Sequence, residues 1–123
     1  INMEADKVEW GIYRKGNVDN NGHVIMLDGL AIPPIIPVIK DFHTEEVLSI
    51  ANVFMENGVL MAEFEVEDKY LNHYPVIGAK VTEFHFLETN GMVIDKADLF
   101  SIGLSSNKNV DTTIPRLSDN TVL

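Results

Sequence analysis

Ser101 and His43 are the residues of this chain whose types fit nucleophilic catalysis. An imidazole titrates near neutral pH and can take a proton from a serine hydroxyl held within hydrogen-bond reach. Glu63, Glu65 and His85 are the candidates for orienting such a base. A plainer reading stands beside this one and is preferred: Ser101 is a half-buried strand serine and His43 a partly exposed loop histidine following Asp41 and Phe42. Glu63, Glu65 and Glu67 form a carboxylate ladder of the kind a hard cation can use, and Asp19, Asn20 and Asn21 offer loop oxygens. Solvation accounts for the first group and turn chemistry for the second, and the full spacing of a calcium loop is absent. His23, His73 and His85 fit no zinc spacing. There is no phosphate-binding glycine loop and no Gly-x-Ser-x-Gly elbow. No cofactor and no metal are expected.

The elements that must position these residues read mostly as strands. Val8, Trp10 and Ile12 alternate with Glu9, Gly11 and Tyr13, and residues 16–22 read as a turn. Residues 23–30 are a second strand candidate. Three prolines in residues 31–37 remove ladder donors, which predicts an extended loop leading into a short strand over 38–42. Strands over 48–55 and 59–67 flank Glu56, Asn57 and Gly58, and Asn-Gly supplies the positive φ angles of a tight hairpin. Ala62, Phe64 and Val66 alternate with Glu63, Glu65 and Glu67, giving one buried and one acidic face. Residues 68–74 are the one helical candidate, with Asp68 as N-cap and Pro75 as the stop. A second hairpin runs over 76–87, turns at 88–91 and returns over 92–104. Its alternation slips near residues 82–84, which predicts a bulge. The fold class is mainly β, a small barrel or sandwich in one domain over 1–123, with 105–123 an irregular C-terminal tail.

Composition narrows the partners. With 123 residues the chain is long enough for a single real core. A formal charge of −10, from 19 acidic and 9 basic residues, repels phosphate backbones, so no nucleic acid is expected as a partner. The same charge favours contact with a basic or polar surface. No apolar run approaches the roughly 18 residues that a membrane helix needs, and no secretory signal pattern is visible; no membrane is expected as a partner. Zero cysteines exclude disulfides and thiolate chemistry.

Taken in order, several segments resemble the prohead maturation protease family of tailed phages, whose fold is similar to that of herpesvirus assemblin. Asp19-Asn20-Asn21-Gly22-His23 resembles the family's early turn, and Ile36 to His43 its proline-bearing approach to a catalytic histidine. Residues 50–60 are similar to the strand–turn–strand that follows. Residues 99–104 with Asn109 echo the family's last strand and its Pro-Ala-Asn end. The likeness spans roughly residues 8–114 through short, degenerate motifs. The family's nucleophile opens a Ser-Ile-Gly-Phe strand, and the matching residues here are Val76-Ile77-Gly78-Ala79, with no hydroxyl. A rival alignment takes Ser101-Ile102-Gly103-Leu104 as the nucleophile motif with His43 as base. It leaves too little chain for the strand that should follow.

The resemblance therefore implies a non-enzymatic phage or prophage head protein, a capsid decoration or auxiliary structural protein. The alternative is an active maturation serine protease using His43 and Ser101. The implied partners are the major capsid protein or other head proteins, with a homo-oligomer expected from the role. The implied location is the virion head, after synthesis in the bacterial cytoplasm.

Overall fold

Among the described residues nine strands follow one another: β1 (Ala5–Arg14), β2 (His23–Ile25), β3 (Leu30–Ala31), β4 (Ile35–Lys40), β5 (Val47–Glu56), β6 (Val59–Glu67), β7 (Tyr74–Phe86), β8 (Met92–Ser105) and β9 (Arg116–Leu117). The computed structural model describes residues 5–16, 22–41, 46–89, 91–106 and the backbone of 116–117. All nine belong to one mixed sheet: seven follow the order β1-β6-β5-β4-β8-β7-β9, and β2 and β3 pair with β8 off that path. The mainly β expectation is met.

The long strand β8 organises the rest. One of its edges pairs antiparallel with β7, and the other receives β2, β3 and β4 in succession, all parallel to it. Residues 23–40 thus run beside β8 as one interrupted path, and the expected single strand over 23–30 is broken by a 3-10 turn at Leu27–Gly29. Within that turn, a Cβ on Gly29 would overlap the Asp95 carbonyl, so the close approach requires glycine.

The hairpin between β5 and β6 forms as its sequence dictates. Asn57 has φ 53° and Gly58 φ 79°, the two positive values of a type I′ turn. The turn is tied to the end of β1 by Lys15 N–H donating to Gly58 O at 2.9 Å. On β6, Ala62, Phe64 and Val66 are buried while Glu65 and Glu67 are exposed. The predicted slip in β7 is also present: Val81 pairs with Ala97 and Glu83 with Lys96, so Thr82 is the extra residue of a bulge. A further bulge in β1 leaves Ile12 unpaired between Gly11 and Tyr13, and it turns both Ile12 and Tyr13 into the interior.

Three expectations are corrected. The sheet is not closed into a barrel: β1 approaches β7, but no ladder joins them among the described residues. Part of the outer edge of β7, at Gly78 and Ala79, is taken instead by β9.

Residues 35–37 are not loop but the start of β4, an interior strand between β5 and β8. Proline is tolerated because of where the ladder bonds fall. Val53 N–H donates to Pro34 O at 3.1 Å, so alternation makes Ile36–Ala51 the next hydrogen-bonded pair and leaves Pro37–Ile50 a non-bonded one. On the other side, the parallel ladder to β8 begins only at Val38.

Residues 68–74 form no α-helix. A single 3-10 turn, Asp68–Tyr70, follows Glu67 at the N-cap position, which makes no side-chain cap bond. Its bonds run from Leu71 N–H to Asp68 O and from His73 N–H to Tyr70 O, both 3.0 Å. Tyr74 and Pro75 already belong to β7, so too few residues remain to repay helix nucleation.

The buried apolar residues form one core cluster, with Val38, Leu60, Ile77 and Ile102 fully buried in it. Tyr13 and Ile25 lock β1 to β2 inside it: the Ile25 N–H donates to the Tyr13 hydroxyl at 2.9 Å, and that hydroxyl lies 3.5 Å from Ile25 O.

Candidate functional site

Ser101 lies on β8 opposite Gly78 of β7 and is only 6 % exposed. Its Oγ sits over Gly78, 2.5 Å from where a Cβ would stand, and the Phe100 ring lies beside it. Phe100 is the bulged residue between the Leu99–Ala79 and Ser101–Gly78 pairs. Ile77 pairs next with Ile102, and Val76 then pairs with Gly103, two positions along the ladder. Residues directly opposite share a face, so Val76 and Ser101 are diagonal neighbours at a spacing of roughly 7 Å. The two positions that sequence put forward for a nucleophile therefore occupy one patch. Val76 is 1 % exposed, yet it stands outside the core cluster, on the opposite face of the sheet.

The proposed helpers of Ser101 are not gathered around it. His43 lies outside the described residues. His85 pairs with Val93, seven positions along β7 from Gly78, which places it about 20 Å away along the strand. Its Nδ1 contacts Asp95 Oδ2 at 2.7 Å in a solvent-exposed pair. Glu63 and Glu65 lie on β6, separated from β8 by β5 and β4. Among the described residues, no hydrogen bond to Ser101 Oγ is present.

The remaining histidines are dispersed. His23 starts β2 opposite Met92, and His73 stacks edge-on against Tyr70 with its Nδ1 3.3 Å from Asn72 Oδ1. Among the described residues, no three His, Asp or Glu side chains converge as a metal site. Asp19, Asn20 and Asn21 lie outside the described residues. Lys7–Glu63 at 3.6 Å and Lys96–Glu83 at 3.4 Å are surface ion pairs, each contributing about 0–1 kcal/mol.

The face opposite the core carries a second feature, which the loop reading of residues 31–37 concealed. Register sets Pro37 opposite Ile50 and Ile39 opposite Val47, with Ile35 two residues before Pro37. Ile35, Val47 and Ile50 are 56, 55 and 53 % exposed. Their burial by a partner would contribute about 1 kcal/mol each, since full burial of such a side chain is worth about 1.5–3 kcal/mol. The alternation of Ile35, Pro37 and Ile39 with Ile36 and Val38 is the signal for a strand that is apolar on both faces. Beside this apolar row, Lys7, Ser49, Ile50, Asn52, Glu63 and Glu65 line a shallow groove of ≈ 290 Å³.

What the arrangement offers chemically is contact surface: a half-exposed apolar row with acids along one side. No protein-family model, no curated protein and no solved structure matches this chain.

Proposed function

We propose that this chain is a non-enzymatic head protein of a tailed phage or prophage, a decoration or auxiliary capsid protein that binds and braces the capsid. The reading draws on the resemblance of residues 8–114 to the prohead protease family. One observation supports it above the others. Val76, aligned with the family's nucleophile, is an apolar side chain buried beside Gly103, and the rival hydroxyl of Ser101 is buried on the same patch. Neither position offers a reagent-accessible hydroxyl. The half-exposed Ile35, Val47 and Ile50 suit a protein that works by contact. The partner is the major capsid protein or another head protein, the location is the virion head, and a homo-oligomer on the lattice fits the role.

The test is co-expression with the major capsid protein encoded in the same genome, followed by density-gradient separation of the assembled particles. The chain is expected in the particle fractions. A chain that stays at the top of the gradient while particles form contradicts the reading.

A further inference from the structure

The acidic row of β6 and β1 is arranged at a cost that a partner can relieve. Glu9 stands directly opposite Glu63 in the β1–β6 ladder, and like charges so placed repel. Lys7, opposite Glu65, reaches diagonally to Glu63 at 3.6 Å. One lysine thus serves a face carrying Glu9, Glu63, Glu65 and Glu67, and Glu65 makes no ion pair among the described residues. The register Asn52–Glu63 brings Glu63 and Glu65 beside Ile50, within one groove. Apolar stems and cationic heads are therefore wanted side by side, which is what lysine and arginine side chains supply.

We propose that the outer face of β4, β5 and β6 docks an extended, lysine- or arginine-bearing segment of another protein. Its apolar residues lie on Ile35, Val47 and Ile50, and its cations meet Glu63 and Glu65. A second copy of the chain does not fit, because it brings another net charge of −10 to an acidic face. Anionic lipid and nucleic acid are excluded by the same sign of charge. The inference deepens the contact role proposed above by naming the face and the chemistry of its partner.

The experiment titrates isotopically labelled protein with an end-blocked Lys-Val-Lys-Ile-Thr-Lys peptide and follows backbone amide resonances; the comparator carries Glu at each Lys. Perturbations are expected over residues 47–52 and 63–65, with none from the acidic comparator. The double variant Glu63→Gln, Glu65→Gln is expected to weaken binding roughly fivefold, the effect of about one exposed ion pair. Both positions accept glutamine without loss of packing, so folding is not at risk. Absence of binding, perturbations centred elsewhere, or equal affinity of the double variant overturns the proposal. The two readings fail separately. Peptide binding at this face by a chain that does not join particles sinks the head role alone. Undiminished particle binding by a variant combining Ile50→Ser with the two glutamines sinks the docking face alone.

Discussion

Ser101 and Gly78 face each other across the β7–β8 ladder, and the serine hydroxyl fills the space that any larger residue at 78 would need. A nucleophile must be reached by its substrate, whereas this hydroxyl serves as packing. A serine-reactive fluorophosphonate is therefore expected not to label the folded chain. Labelling that Ser101→Ala abolishes would restore the protease reading.

The same pair gives a stability cycle. Gly78→Ala sets a methyl against Ser101 Oγ and the Phe100 ring, which lies 3.1 Å from the new atom. Overpacking of this kind costs about 1–3 kcal/mol. Adding Ser101→Ala removes the obstructing oxygen, so the double variant is expected to recover part of the loss. Urea unfolding of the two single variants and the double variant measures the coupling; strictly additive losses would contradict the packing described.

Tyr13→Phe removes the acceptor of the buried Ile25 N–H. An unsatisfied buried donor costs about 1–3 kcal/mol, so the urea midpoint is expected to fall with little change in slope. Hydrogen exchange should quicken at the Ile25 amide. Unchanged protection there would show that the bond does not hold β2 in place.

Gly58→Ala tests the hairpin turn without a steric confound. The nearest atom to a Cβ there is Lys15 Cβ at 3.9 Å, while φ is 79°. The backbone penalty alone is about 1–2 kcal/mol. Thermal unfolding that is unaffected by this substitution would contradict the turn geometry.

The legible parts of this fold were those set by neighbours in sequence. Asn57-Gly58 announces its own turn, the Glu63, Glu65 and Glu67 alternation announces a half-buried strand, and the phase slip near Thr82 announces a bulge. The misread parts depend on distant chain. Pro37 looks incompatible with an interior strand until the ladder is known to leave its nitrogen outside the bonded pairs. Residues 68–74 look helical until Tyr74 is seen to be claimed by Ser105 of β8. Closure into a barrel is likewise a matter of whether β1 and β7 pair, which no local pattern encodes. The candidate site divides in the same way. The hydroxyl of Ser101 and its absence at Val76 are plain in the sequence, but their meeting on one buried patch depends on β7–β8 register. The exposed row of Ile35, Val47 and Ile50 depends on β4 being a strand at all.

The most direct test of the account is the protein composition of purified mature heads, by quantitative mass spectrometry against the major capsid protein. A bracing head protein is expected intact and in a fixed, stoichiometric ratio to the capsid subunit. Its absence from mature heads, or its presence only as trace fragments beside a cleaved capsid protein, would contradict the account and point to a protease.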